Sequence, residues 1–502
     1  MIAIEHEQRI EVLRDVALLL DRENRRLRET IQNLQVELDR LQGRSGSAAL
    51  QMEIDALREL LSQRERALFG ESSEQRPRPT EEPEAVPPPR RGHGPKAQPQ
   101  LPVVGVLHQI VESQRECPAC GGPLEEMAEQ QEDSEEITLV ERRFLITRHL
   151  RQKYRCRCNG AVITAPGPKK LIPGGRYSPA FAVEVAASKY LDHLPLERQS
   201  RIMRREGLEI DSQTLWDQLD ALARHLEPTY RALGERVLAS PLVHADETHW
   251  RLMAKSEKKR FWVWSLASRD AVFYRILGSR GKESAAAMLG GYSGTVLADG
   301  YGAYSALANR DGPSLKLAHC WAHARRKFVD IEDHYPGPAR EILDLIGELY
   351  GIERLVPAAR AGQSTDEERR QLDLRAELRR ERSRPVVEQI HAWALAQSAL
   401  PRSGLGKAIG YLLELWPGLI RFLDNPRVPL DNNAVERALR GIVVGRKNHY
   451  GSRSRRGCEV AALFYSLIES AKLVGIEPKA YLLRAIARAL ESPGAVTFPE
   501  PA

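Results

Sequence analysis

The chain is poor in cysteine, with six in 502 residues. That is too few for a disulfide scaffold. Four of the six stand in two close pairs, a pattern that points to metal in a reducing compartment. No run approaches the roughly eighteen apolar residues of a membrane span. The charged N-terminus also lacks a signal-peptide core, so the expectation is a cytoplasmic protein with no membrane partner. No charge of one sign dominates: 74 Lys and Arg face 68 Asp and Glu, a net +6 that permits nucleic acid without proving it. No internal repeat is apparent. Single cores rarely exceed about 250–300 residues, so several domains are expected.

Residues 13 to 41 carry Leu13, Ala17, Leu20, Asn24, Leu27, Ile31, Leu34, Leu38 and Leu41 at alternating spacings of four and three. These are the a and d positions of a heptad seam, and Asn24 at an a position favours one register and often a dimer. After "GRSGS" the rhythm resumes at Leu50, Ile54, Leu57, Leu61 and Leu68. Strongly charged remaining faces favour a leucine-zipper-like coiled coil over 1–70, joining a homodimer or higher oligomer, above a helix packed on its own chain. Residues 71–101, rich in proline and charge, read as a disordered linker. Over 102–172, "CPACGG" places Cys117 and Cys120, and "YRCRC" places Cys156 and Cys158. Strands in "EEITLVERRFLITRHLRQKY" would carry the two pairs together as a small zinc-knuckle-like domain. Four thiolates on a structural Zn2+ leave no open position for catalysis. Residues 177–230 read as three helices, the third capped by Asp211 or Ser212. They fit a helix-turn-helix DNA reader and plain helical packing equally well.

From residue 238 the pattern changes to strands: "SPLVHADETHWRLM", then "KRFWVWSLAS" and "AVFYRILGS" joined by a tight "RD" turn. A helix, "GKESAAAMLGGY", leads to strands in "GTVLADGY" and "SLKLAHCW". This is an α/β core, a mixed sheet wrapped by helices, in a multidomain chain that is otherwise mainly α. Two apolar runs stop at an aspartate, Asp246 and Asp299, where ligands gather in α/β sheets. Either one alone is more simply a turn cap. The stretch "LDNNAVERALRGIVVGRKNHYGS" adds a third acid, with Asp431 as a good N-cap and Glu436 more than a turn inside the helix. An i, i+4 pair with Arg440 would be its default role, worth a few tenths of a kcal/mol. Carboxylates repel phosphate, however, so acids beside cations work on nucleic acid only through metal. Two Mg2+ (or Mn2+) held by Asp246, Asp299 and Glu436 would bridge a scissile phosphate. Arg437, Arg440, Arg446, Lys447, Asn448 and Arg453 would hold the DNA backbone. His319, Cys320 and His323 read as packing next to a basic DNA-facing helix with Arg325, Arg326 and Lys327.

"HADET", "LADGYGAY", "CWAHARRKF" and above all "LDNNAVERALRGIVVGRKNHYGS" make the chain resemble the transposases of the bacterial insertion-sequence-66 group, which carry an Asp-Asp-Glu core. The tail "LFYSLIESAKLVGIEPKAYL", the coiled coil, "LFGESSEQ" and the cysteine pairs follow the family's order, so the resemblance covers nearly the whole chain. It implies a ribonuclease H-like catalytic core over 238–330 and 426–470, a helical insertion over 331–425 and a C-terminal helical segment over 471–502. It also implies that Asp246, and not Glu247 on the opposite face of the strand, joins Asp299 and Glu436 as a metal ligand. The implied activity is Mg-dependent transposition: binding of terminal inverted repeats, cleavage to expose a 3′-hydroxyl, and strand transfer into target DNA. Small accessory proteins of the same element are implied partners, and the nucleoid the implied location. The alternative is a catalytically inactive DNA-binding regulator derived from such an enzyme; intact acids at all three positions argue against it. One departure, C-x-C where relatives more often have C-x-x-C, bears on the zinc site and not on the catalytic core.

Overall fold

The computed structural model describes residues 23–37, 51, 53–62, 119, 144–155, 162–254, 260–356 and 364–500. The linker at 71–101, the four cysteines Cys117, Cys120, Cys156 and Cys158, and the outer parts of the heptad segment lie outside these residues. All the elements below belong to one compact unit, residues 1–69 with 143–502. The chain is mostly helical around one mixed sheet.

A small antiparallel hairpin, β1 (Lys153–Arg155) and β2 (Val162–Thr164), flanks the second cysteine pair in sequence. The strand expected upstream of it is not formed at 144–152. Leu145, Ile146 and Leu150 are 81, 82 and 88% exposed there. Alternation of apolar residues makes a strand only where a neighbour takes up the backbone hydrogen bonds; here Gln152, at the end of this stretch, accepts from Ala165 N (2.9 Å), and the ladder with β2 begins at Lys153.

Three helices follow: α1 and α2 being the N-terminal stretches 23–37 and 53–62, these are α3 (Pro179–Tyr190), α4 (Leu196–Arg205) and α5 (Ser212–Leu238). Ser178 caps α3 and Asp211 caps α5, its Oδ1 accepting from Thr214 N at 2.6 Å. The α5 helix runs through Pro228 and past the expected boundary at 230. An interior proline costs about 3 kcal/mol, but burial of Leu226, Leu233 and Val237 offsets it at roughly 1.5–3 kcal/mol each. Gly234 lets α5 sit directly on the Phe273 ring, which a Cβ would approach to 2.8 Å. Because α3 and α5 share the hydrophobic core of the sheet, this region has no separate core of its own.

The sheet comprises β3 (Leu242–Arg251), β4 (Arg260–Ala267), β5 (Val272–Leu277), β6 (Gly294–Ala298) and β7 (Leu315–His319), in the order β5-β4-β3-β6-β7. The first three form an antiparallel meander, and Ser268 N donates to Ala271 O (2.8 Å) in the tight turn. Helices α6 (Lys282–Leu289) and α7 (Gly302–Asp311) then carry the chain to β6 and β7, which continue the sheet parallel to β3. After α8 (Trp321–Val329), a second core is built from α9 (Pro336–Glu353), α10 (Thr365–Leu378), α11 (Arg384–Ala396), α12 (Gly404–Glu414), α13 (Trp416–Leu419) and α14 (Arg421–Asp424). Arg379, 1% exposed, ties it together through Glu353 (2.6 and 2.8 Å) and the carbonyls of Phe422 and Asn425. The described part of the heptad segment docks on this insertion. Arg58 of α2 donates to Gln35 of α1 (3.0 Å), and the buried Glu59 accepts from Gly404 N (2.6 Å). Asn24 and Ile54, read as seam residues, are buried within this one chain.

Helices α15 (Asn433–His449), α16 (Arg455–Leu473) and α17 (Pro478–Glu491) close the fold. α16 lies almost wholly buried along β5, an edge strand with outward N–H groups that need partners. Ser466 accepts from Tyr274 N (2.9 Å), and Ser470 both accepts from Val272 N (2.8 Å) and donates to Val272 O (3.1 Å). At the other edge, Arg421 Nε donates to Leu317 O (2.7 Å). Ser470→Ala leaves a buried N–H and C=O unsatisfied, and is expected to cost about 2 kcal/mol of stability, measured as a lowered thermal midpoint.

Candidate functional site

The pairing of β3 with β6 sets the first relation. His244 lies opposite Leu297 in the parallel ladder, so two residues on, Asp246 comes level with Asp299 on a strand about 4.8 Å away. Asp246 does not end its strand as the apolar run implied. β3 continues to Arg251, paired with β4 alone once β6 has stopped at Ala298. Asp299 does lie at a strand end, and its Oδ1 accepts from Tyr301 N (3.0 Å), as a turn cap would. Gly300 takes φ +90° in that turn, where a side chain would run into Leu415. Asp246 Oδ1 likewise accepts from Glu247 N (2.7 Å). Among the described residues, no hydrogen bond takes the second oxygen of either aspartate.

Asn432 sets the second relation. Its Nδ2 donates to Ala245 O (2.9 Å), its Oδ1 accepts from His244 Nδ1 (3.0 Å), and its backbone N–H reaches Cys320 Sγ (3.2 Å). The expected N-cap was Asp431. Instead Asn432 holds the cap position and spends its side chain on β3, while Asp431 Oδ1 accepts from Asn433 N (3.2 Å). Glu436 therefore lies in the first turn of α15, four residues or about 6 Å beyond Asn432. Asp246 is two residues, about 7 Å, beyond His244. Further along, Arg446 Nη1 donates to Thr248 Oγ1 (3.1 Å), and the His449 ring meets Trp250 at 5.8 Å. Helix and strand thus run side by side in one direction, and Glu436 comes level with Asp246.

Electrostatics agree with this placement. The Asp246 carboxyl is pushed up to about 7, chiefly by burial, then by the charge of Glu247, and further by those of Asp299 and Glu436. Glu247 itself points to the opposite face, where Arg280 donates to its Oε1 twice (2.8 and 2.6 Å) and Tyr304 to its Oε2 (2.9 Å). That carboxylate is satisfied from behind. The front three carry concentrated negative charge and unspent oxygens, a donor set that suits hard divalent cations.

His323, set aside in the sequence as packing, lies beside this group. Its Nδ1 is 3.8 Å from Glu436 Oε1, and no ion pair joins Glu436 to Arg440 among the described residues. One donor atom each from Cys320, His323 and Glu436 falls within 4.8 Å of the others. Burial pushes the Cys320 thiol up to about 11, so it stays protonated as the acceptor for Asn432. The signal in the sequence was the C-x-x-H spacing, which puts both side chains on one helical turn. His319 is buried nearby against Gly418, and burial lowers its pKa.

Of the cations singled out, Arg437, Arg440, Lys447 and Arg453 are exposed, as are Asn448 on α15 and Arg326 and Lys327 on α8; Arg325 is half-buried. Arg446 is different: it is tied to Thr248, His249 Nδ1 and His249 O, so it fastens α15 to β3. The helix-turn-helix reading includes α4, where Arg198, Arg201, Arg204 and Arg205 are all exposed.

A carboxyl with its folded pKa raised from 3.8 to about 7 binds more protons in the folded state, so its contribution to stability falls between these pH values. The metal-free Asp246→Asn variant is therefore expected to gain thermal stability over the unchanged protein as pH rises from about 4 to about 7. A constant difference across that range would contradict the site's electrostatics.

Comparison with known proteins places the chain in a family. The profile of the Transposase IS66 family matches residues 174–460, which include Asp246, Asp299 and Glu436. That of the zinc-finger binding domain of transposase IS66 matches residues 114–159, which include all four paired cysteines. Among similar proteins, uncharacterized protein y4jD of Sinorhizobium fredii is 34% identical over 416 residues, 79% of this chain and 78% of that protein. Uncharacterized protein y4qI of the same organism is 31% identical over 400 residues, 76% of this chain and 72% of its own. The chain belongs to the IS66 family of transposases.

Proposed function

We propose that the protein cuts and joins DNA at the ends of an insertion element, with Asp246, Asp299 and Glu436 holding two Mg2+ or Mn2+ ions. The observations that support this reading are the β3–β6 register, the hold of Asn432 on β3, and the charges of Asp299 and Glu436 acting on Asp246. The sheet supports a ribonuclease H-like core: an antiparallel meander of three strands extended by two parallel ones, with the acids on the first and fourth strands and on a later helix.

Divalent cations bound there would polarise the scissile phosphate and activate the attacking water or 3′-hydroxyl. The chain's own part is to place the reacting groups. Asp246 and Asp299 each keep one oxygen locked to the backbone, so the other is aimed without loss of rotamer freedom at the moment of reaction. His323 steadies Glu436 from the side of α8. Arg437, Arg440, Lys447, Asn448 and Arg453, with Arg325, Arg326 and Lys327, hold the phosphodiester backbone and release its counterions. Cys117, Cys120, Cys156 and Cys158 would hold a structural Zn2+ in a module that binds element ends. The N-terminal segment would join protomers in the assembled complex, which acts at the nucleoid, with small proteins of the same element as further partners.

Asp246→Asn, Asp299→Asn and Glu436→Gln are each expected to lower Mg-dependent cleavage of element-end DNA by about a thousandfold or more, the equivalent of several kcal/mol. Binding of the same DNA in a mobility-shift assay should change by less than about threefold, since the acids do not hold the backbone. Cleavage or strand transfer retained by Asp246→Asn in Mg2+ would remove that residue from the mechanism.

A further inference from the structure

Away from the carboxylates, a cavity of about 320 Å3 opens where the end of α3, the starts of α4 and α5, and the loop from α15 to α16 come together. Its walls include Tyr190, Trp216, Trp250 and His449, and its cations are Lys189 and Arg453. The volume falls at the lower end of small-ligand pockets, about 300–1,000 Å3, which are mostly apolar with a few placed polar groups.

The site is rigidly built. Tyr450 takes a left-handed conformation, and Gly451 (φ +105°) lets the loop press against the carbonyl of Arg251, which a Cβ would strike. Ser452 N then donates to Arg251 O (3.0 Å) and Met253 N to Ser452 O (2.8 Å), so the loop continues the edge of β3. Trp250 is fixed by donating to Ser452 Oγ (3.2 Å). Two features call for a ligand. Burial, and after it the like charge of Arg453, lowers Lys189 to about 8, a penalty that an anion relieves. His449, only 9% exposed, has a buried Nδ1 without a hydrogen-bond partner.

We propose that this cavity takes one nucleotide unstacked from a single DNA strand, its base against Trp216 and its phosphate between Lys189 and Arg453. Aromatic side chains beside a basic groove are what single strands bind: every base offers a π-face, and the backbone needs cations. A base paired within a duplex cannot reach such a pocket without leaving its stack. Exposed Arg198 and Arg201 lie on α4, which begins at the cavity wall, and extend the basic track. Glu197, the one carboxylate of the lining among the described residues, belongs to that same helix start, which leaves the Arg453 side for phosphate. Position fits too. Asp246 and Trp250 share one face of β3, four residues or about 13 Å apart, which corresponds to about four stacked nucleotides at 3.4 Å each. The proposal rests on the DNA-cutting reading above and assigns the cavity to a strand freed near the cut.

The test uses the full chain without metal, titrated with a single-stranded oligothymidylate and with a duplex of equal length, read by anisotropy and tryptophan fluorescence. Trp216→Ala should weaken single-strand binding about tenfold, as loss of one stacking platform does, and duplex binding less than twofold. Trp216→Phe should retain single-strand binding, which guards against a folding artefact, and the exposed Arg453→Glu should weaken the single strand more than the duplex. Thymidine monophosphate should compete for the cavity better than inorganic phosphate. Equal losses on both DNAs, no loss on the single strand, or equal competition by phosphate alone would overturn the proposal while leaving the transposase reading standing. Failure to bind either DNA would sink both.

Discussion

One asparagine side chain decides where the chemistry can happen. Asn432 bridges the backbone of β3 and the ring of His244, and its own N–H rests on Cys320 at the end of β7. Three elements remote in sequence meet at this residue, which is 1% exposed. A buried amide with its hydrogen bonds made specifies one geometry, because any slip leaves several polar groups unpaired at once. The helix carrying Glu436 is thereby fixed in height against the strand carrying Asp246. The insertion between them can vary in length without disturbing that height, since α15 is registered by its own first turn and not by the helices before it.

The same strand shows how two adjacent acids come to opposite uses. Side chains alternate across a strand, so Glu247 faces back into the fold and Asp246 forward. Behind, Arg280 and Tyr304 neutralise Glu247, and Arg280 is itself stacked on Tyr301 at 4.0 Å. On the forward side, among the described residues, the one basic group within ion-pair distance of the three acids is His323, 3.8 Å from Glu436. An uncompensated cluster of this kind raises the free energy of the folded protein.

Much of this was legible before any coordinates. The strands from β3 to β7 stand out through apolar runs of the right length, and α3 to α5 through spacing and caps, because burial on a sheet or helix face dictates residue type directly. Asp246, Asp299 and Glu436 stand out in the sequence as a set, since bound metal would account for all three acids beside so many cations and a salt bridge accounts for only one. The misses share a cause: they depend on partners distant in sequence. Asp431 looked like the cap because local chemistry favours it, whereas Asn432 is recruited by β3. Arg446 looked like a DNA contact, but Thr248 and His249 claim it. His323 looked like packing until Glu436 was placed against it. The region boundary at 230 stops short of the end of α5, because the buried face that carries the helix onward packs into the core of the sheet.

The serines of α16 have one more consequence. With Ser466 and Ser470 occupying the outward groups of β5, and Arg421 reaching the backbone of β7, both margins of the sheet are closed to added strands. Among the described residues, pairing of protomers through the edges of the five-stranded sheet is thereby disfavoured, which leaves helical surfaces as the ground for any higher-order assembly.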